Sequence, residues 1–135
     1  MQRAAILASC RPVAFDTKGR AYQVTLPFNA FWANLHPNSH IEVSYSDDLG
    51  RTWSPLTEHA ATLGQRPEAD GATVGACDFW PKWHAASGKL LGLGHSVRYR
   101  NNAVIHERPR ETVVSVYDAA GRTWSSWRPV ARPAE

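Results

Sequence analysis

Ser46-Asp47-Asp48-Leu49-Gly50-Arg51-Thr52-Trp53-Ser54 decides how this chain is read, because its last five residues return as Gly121-Arg122-Thr123-Trp124-Ser125, 71 residues further on. Five consecutive identities that include Trp point to an internal duplication. The flanks agree. Ile41-Glu42-Val43-Ser44-Tyr45-Ser46 leads into the first copy and Thr112-Val113-Val114-Ser115-Val116-Tyr117 into the second. Ile41, Val43 and Tyr45, and likewise Val114 and Val116, alternate with other residues at period two, which predicts half-buried strands.

Each copy carries a second hairpin signal upstream. Val13-Ala14-Phe15 and Ala21-Tyr22-Gln23-Val24-Thr25-Leu26 flank Asp16-Thr17-Lys18-Gly19-Arg20. Cys77-Asp78-Phe79-Trp80 through His84 and Leu90-Leu91-Gly92-Leu93 flank Ala85-Ala86-Ser87-Gly88-Lys89. Short loops with Gly near the end close antiparallel hairpins. Each unit therefore reads strand, tight turn, strand, long loop, strand, Gly turn, strand, over residues 11–57 and 74–130. The prediction is an all-β chain of two four-stranded antiparallel units. Pro12, Pro27, Pro55, Pro81 and Pro129 fall mostly near strand ends, where a missing N–H costs least. No long stretch keeps a helical period without Gly or Pro. The long loops are placed at 28–40 and 97–110, and the connector between units at 57–73.

At 135 residues and 43% apolar content the chain has the size of one domain, 1–135, and enough material for a core. Trp32, Trp53, Trp80, Trp83, Trp124 and Trp127, with Tyr22, Tyr45, Tyr99 and Tyr117, suit a β-rich interior or a carbohydrate-facing surface. The net charge of +3 comes from Arg, since Lys18, Lys82 and Lys89 are the lysines. Arg pairs in bidentate fashion with carboxylates and phosphates, so the excess fits an acidic ligand or a compositional bias. Arg98 and Arg100, then Arg108 and Arg110, are interrupted pairs rather than the dense basic run of a nucleic-acid binder. Cys10 and Cys77 lack metal-ligand spacing and read as separate buried thiols or one bridge, their redox state open. The apolar run before Arg11-Pro12 is short for a secretory signal, and no stretch approaches a membrane-spanning length. The expected partners therefore exclude nucleic acid and membrane, and no metal or cofactor is expected.

Ser46-Asp47-Asp48-Leu49-Gly50-Arg51-Thr52-Trp53 resembles the Asp-box, Ser-x-Asp-x-Gly-x-Thr-Trp, at every defined position. The Asp-box, or bacterial neuraminidase repeat, recurs in the blades of the sialidase superfamily of β-propellers. Its chemistry is local: Ser46 and Asp48 accept hydrogen bonds from the turn's own N–H groups, Gly50 supplies a positive φ, and Trp53 is expected to pack inward. Tyr117-Asp118-Ala119-Ala120-Gly121-Arg122-Thr123-Trp124 is similar to the same motif with Tyr in place of Ser and Ala119 in place of Asp, while Asp118 sits one place earlier. Gly121, Thr123 and Trp124 should keep that turn, with Asp118 bonding back from its shifted position. The resemblance implies two blades of a partial sialidase-like propeller, and propellers close with about four to eight blades. It implies a sialidase-like glycoside hydrolase of exo-α-sialidase type, or a truncated fragment of one, acting on terminal sugars of glycans. The alternative is a non-catalytic Asp-box module that binds a glycan or a protein. Self-association to cover exposed sheet edges is a further expectation. The resemblance suggests an extracellular or periplasmic setting, and the sequence itself leaves the compartment open.

In this family the Asp-box turns lie on one rim and the active site on the other, lined by the long loops and the inter-blade connector. Here those segments hold Trp32, Asn34, His36 and His40; Glu58, His59, Arg66, Glu68 and Asp70; and Arg98, Tyr99, Arg100, Asn101, His106 and Arg110. Sialidase chemistry, by the same resemblance, uses three Arg on a substrate carboxylate, a Tyr nucleophile assisted by Glu, and an Asp acid/base. Arg98, Tyr99, Arg66, Glu68, Asp70 and His95 are the pocket candidates. Arg11-Pro12-Val13 departs from the family's Arg-Ile-Pro, so no catalytic role is carried over to any one of them. A Tyr between two Arg has a lowered pKa if all three face one pocket. Trp80, His84 and Arg100 are the substrate-binding candidates; Trp80 and Trp83 should point to opposite faces of a regular strand.

Overall fold

The computed structural model describes residues 13–15, 20–25 and 41–133. Cys10, Arg11-Pro12, most of the first hairpin loop and the 28–40 loop with Trp32, Asn34, His36 and His40 lie outside them. Strands β1 (Val13–Phe15), β2 (Ala21–Thr25), β3 (Glu42–Ser46) and β4 (Thr57–Glu58) form one antiparallel sheet in sequence order. A single helical turn, α1 (Ala60–Leu63), and the short β5 (Arg66–Pro67) follow in the connector. The second sheet is built on β6 (Thr73–His84), β7 (Lys89–Arg100) and β9 (Thr112–Asp118). β5 on β6 and the short strands β8 (Ala103–Val104), β10 (Thr123–Trp124) and β11 (Arg128–Pro129) extend it to seven. Among the described residues the chain is all-β apart from α1, as expected.

Pairing repeats along with sequence. Thr57 and Glu58 face Val43 and Glu42, and, at the same 71-residue spacing, Arg128 and Pro129 face Val114 and Val113. A serine pair repeats too. The Ser44 hydroxyl donates to the Ser54 carbonyl at 2.6 Å and the Ser54 hydroxyl accepts from the Tyr45 N–H at 2.9 Å. Ser115, Ser125 and Val116 make the same two bonds at 2.6 and 2.9 Å. Each serine pair ties the start of the last segment to the third strand where ordinary ladder bonds thin out.

The second unit departs from four equal strands. β7 runs on to Arg100, so the loop expected from Val97 opens only at Asn101 and itself pairs back through β8. Gly92 and Gly94 do not end the strand. Between Cys77 and Trp80 the partner strand carries a bulge, with Asp78 at φ 48°, and this turns Phe79 onto the Gly92 face. A Cβ on Gly92 would stand 1.8 Å from the Phe79 ring, so glycine there makes room for that ring.

The two sheets dock face on opposite face. Val43 and Tyr45 of β3 enter one core with Phe79, Leu90, Val113, Tyr117 and Trp124 of the second sheet. Tyr45 stacks on Tyr117 with centroids 5.5 Å apart, and Trp124 meets Tyr117 at 5.1 Å and Phe79 edge-on at 5.5 Å. In the repeat, Val43 and Tyr45 correspond to Val114 and Val116, which lie on the far side of β9. The covering face of one unit thus meets the other kind of face on its neighbour. Trp127 fastens the connector: its indole N–H donates to the Gly64 carbonyl at 3.0 Å, and the Arg66 guanidinium lies 3.5 Å over its ring.

The two turns differ as their sequences do. The Asp48 carboxylate accepts from the Ser46 hydroxyl at 2.7 Å, the Thr52 N–H at 2.8 Å and the Thr52 hydroxyl at 2.6 Å. The Thr52 bonds lead those that hold its pKa down to about 2. The Ser46 oxygen accepts from the Gly50 N–H at 2.8 Å, with Leu49 and Gly50 at φ 61° and 83°. In the second turn Asp118 accepts only from Ala120 N–H at 3.1 Å and Gly121 N–H at 3.3 Å, and the left-handed residue is Arg122 rather than Gly121. One inward expectation fails. Trp124 is 2% exposed, but Trp53 is 37% exposed and folds over its own turn, its indole N–H on the Gly50 carbonyl. Trp124 has the first sheet above it, and among the described residues no sheet stands over Trp53.

Asp48→Ala is expected to cost more stability than Asp118→Ala in parallel urea melts, since it removes three bonds to the turn rather than two. The folded pKa of Asp48 lies below its unfolded value, so its contribution is intact above about pH 4 and fades as pH falls towards about 2. The gap between wild type and Asp48→Ala should therefore shrink on acidification; a gap that is constant with pH would contradict this.

Candidate functional site

β6 and β7 run from the Asp-box end of the second sheet to the opposite rim, where Thr73 and Tyr99 pair. The connector arrives at that rim as a tight turn. The Glu68 N–H donates to the Ala72 carbonyl at 2.7 Å, and Gly71 takes φ 82°. The turn presents Glu68 and Asp70, two residues apart, to Arg98 and Arg100, which share one face of β7 because they too are two apart.

The Arg98 Nε donates to both Glu68 oxygens at 2.9 and 3.0 Å, and its Nη2 to Glu111 at 3.2 Å. Arg100 donates to Asp70 at 2.9 Å. Arg108, from the loop after β8, bridges both acids, reaching Glu68 at 3.0 Å and also bonding Asp70. Three guanidinium groups thus balance three carboxylates. Burial opposes the charge on Arg98, but its bonds to Glu68 and Glu111 outweigh it and raise its pKa. The Ala72 N–H and the Arg108 guanidinium hold the Asp70 carboxyl below its ordinary value. Arg98 is mostly buried, while Arg100, Arg108, Asp70 and Glu111 remain half-open to solvent. Beside Glu111 lies a recess of about 300 Å3 lined by Pro109, Arg110, Glu111, Thr112, Val130 and Arg132.

The structure divides the remaining candidates. Tyr99 points away from its two Arg neighbours and is 2% exposed, its hydroxyl 3.3 Å from the Cys77 sulfur. Burial raises its pKa, and the Cys77 thiol adds to this, so the lowered value expected for a Tyr in one pocket with Arg98 and Arg100 does not arise. Burial likewise raises the Cys77 thiol. His95 shares the Tyr99 face, with Nδ1 3.6 Å from the Asp78 carboxylate and Nε2 3.3 Å from Arg110. Arg66 leaves the cluster to stack on Trp127 and donate to its carbonyl at 2.7 Å. His59 lies outside the cluster, its Nε2 2.9 Å from the hydroxyl of Tyr45.

His84 lies in the β6–β7 turn at the Asp-box end, 2.7 Å from the Ser87 hydroxyl, far along the strands from Arg100. Trp80 and Trp83 do face opposite ways: Trp80 is 49% exposed, and Trp83 packs against the core. A wider cleft of about 600 Å3 opens at this end, lined by Trp83, Leu90 and Trp124 of the inter-sheet core and edged by Arg20, Lys89 and Asp118. Arg108 and Glu111 were absent from the sequence-level candidates. The matched spacings of Glu68-x-Asp70 and Arg98-x-Arg100 were the available signal for the network.

Among the described residues no three His, Cys, Asp or Glu side chains gather as a metal-binding group, and no helix is long and apolar enough to cross a membrane. Set against known protein families, curated proteins and solved structures, the chain gives no match.

Proposed function

We propose that this chain is a pair of Asp-box propeller blades acting as a non-catalytic recognition module, whose Arg–carboxylate rim binds the hydroxyl groups of a glycan. The observation that carries this reading is the closed network of Arg98, Arg100 and Arg108 with Glu68, Asp70 and Glu111. Alternating fixed donors and acceptors match vicinal hydroxyls, and groups already held by one another lose little freedom when a ligand arrives. The recess beside Glu111 is at the lower end of the size range of small-ligand pockets, which starts at about 300 Å3. Balanced charge favours a neutral sugar over an anionic one, because an incoming carboxylate must displace Glu68, Asp70 or Glu111 from its guanidinium partner.

A sialidase-like hydrolase is the second reading. It is favoured by the position of Arg98, Arg100 and Arg108 on the rim away from the Asp-box turns, where sites of that superfamily lie. It needs an accessible nucleophile, and Tyr99 is buried with a raised pKa.

The test combines a glycan array, calorimetric titration and a fluorogenic sialoside assay on the purified chain. Binding of a neutral glycan without turnover is expected, with Arg100→Ala weakening it about tenfold or more, the scale of a lost charged hydrogen bond. Turnover abolished by Arg98→Ala would replace this reading with the hydrolase one.

A further inference from the structure

We infer that the open face of the second sheet docks onto the first sheet of a second copy of this chain, repeating between molecules the sheet-on-sheet contact found within one. The register identifies that face. Trp80, Leu93 and Val114 lie in one cross-strand row, and Lys82, Leu91 and Val116 in the next. Their side chains point away from Phe79, Tyr117 and Trp124, which the first sheet covers. Trp80 is 49% exposed, Leu91, Leu93 and Val116 are half-buried, and Val114 at the edge of the row is buried. Contiguous apolar residues across three strands of a sheet mark an interaction surface rather than ordinary solvent-facing residues.

The repeat names the occupant. Val114 and Val116 correspond to Val43 and Tyr45 at the 71-residue spacing, and Val43 and Tyr45 already cover the Tyr117–Trp124 face of the next unit. What such a face fits is therefore on view in this molecule: a face carrying the Trp of a Gly-Arg-Thr-Trp-Ser turn. The other Trp of that kind is Trp53, 37% exposed on the first sheet. At the repeat spacing the face bearing Trp80 corresponds to the covering face, and the face bearing Trp53, on which Ser44 and Ser46 are buried, corresponds to the covered one; the two belong to different units of one chain, so the contact is heterologous, head to tail. Propellers close with about four to eight blades, so two-blade chains joined this way close as rings of about two to four copies. The inference rests on the blade-pair reading but not on its glycan.

Light scattering after size exclusion, on the 135-residue chain at micromolar concentration, tests it. Wild type is expected as a discrete assembly of two to four copies, and Trp80→Glu and Trp53→Arg each as folded species of lower mass. Mixing the two variants should yield a one-to-one dimer, because each keeps the face the other lacks. A face that meets its own copy would give no such rescue. Near-UV dichroism checks the core of each variant, and Leu93→Lys or Trp53→Gln replaces one that has lost it. A monomeric wild type, an assembly indifferent to both substitutions, or a mixture that stays monomeric would each overturn the inference. Mass is read without sugar, so failed glycan binding leaves this result standing, and a monomer leaves the glycan reading standing.

Discussion

Trp124→Ala should lower the free energy of unfolding by about 3–5 kcal/mol, whereas Trp53→Ala, at the repeat-equivalent position, should cost about 1 kcal/mol. Both residues hold the fourth place of the same pentapeptide, and local sequence gives no reason for a difference. The difference comes from what lies above each ring. Trp124 is 2% exposed and touches Tyr117 and Phe79 under the first sheet, so truncation leaves a cavity that sheet-on-sheet packing cannot fill. Trp53 keeps 37% of its surface in solvent and leans on its own turn. A domain of this size is stable by about 5–15 kcal/mol, so the larger loss brings it close to unfolding. Urea melts of both variants, diluted to keep the chain dissociated, read the comparison. Equal losses would mean that the two turns sit in equivalent surroundings.

Gly92→Ala should be nearly as damaging, although it adds one methyl group. The new Cβ would stand 1.8 Å from the Phe79 ring, and Phe79 is itself buried against Trp124 on a strand locked by the bulge at Asp78. Overpacking of this kind costs about 1–3 kcal/mol, and more where neither backbone nor ring can withdraw. Phe79→Ala alone should cost about 3–5 kcal/mol through its cavity. Combined, the two changes should cost less than their sum, since a methyl at position 92 then partly fills the space the ring has left. Strict additivity in denaturant melts would show that the ring does not rest on Gly92.

Much of the fold could be read from the chain because duplication exposes register directly. The spacing that aligns the two Gly-Arg-Thr-Trp-Ser turns also aligns β4 on β3 with β11 on β9. The paired serines 44 and 54, and 115 and 125, were visible in the same alignment. The extent of β6 and β7 was hidden, because Gly92 and Gly94 look like strand breakers until Phe79 and the Cys77–Trp80 bulge are set against them. The exposure of Trp53 was hidden for another reason: five identical residues cannot say which copy lies beneath another sheet.

For the site, the sequence predicts a loop over residues 97–110; only because β7 runs on to Arg100 does period-two alternation separate Arg98 and Arg100 from Tyr99 and remove the tyrosine from the arginine cluster. The partners of those arginines were not legible in the same way. Glu68 and Asp70 meet them across 30 residues of chain, through a turn whose position depends on how Trp127 pins the connector. Arg66 reads like a third member of the cluster, yet its flat guanidinium finds the indole of Trp127 instead. Residue type suggested a carboxylate-binding triad; tertiary placement produced a neutral ion-pair network.

The docking of one unit's covering face on the other's Trp face joins the two sheets, and a double-mutant cycle on Tyr45 and Tyr117 probes it most directly. These rings come from different sheets and stack with centroids 5.5 Å apart. Tyr45→Ala and Tyr117→Ala should show a coupling of about 0.5–1.5 kcal/mol in equilibrium melts, the range for aromatic pairs. Losses that add with no coupling would mean that the two sheets do not meet there.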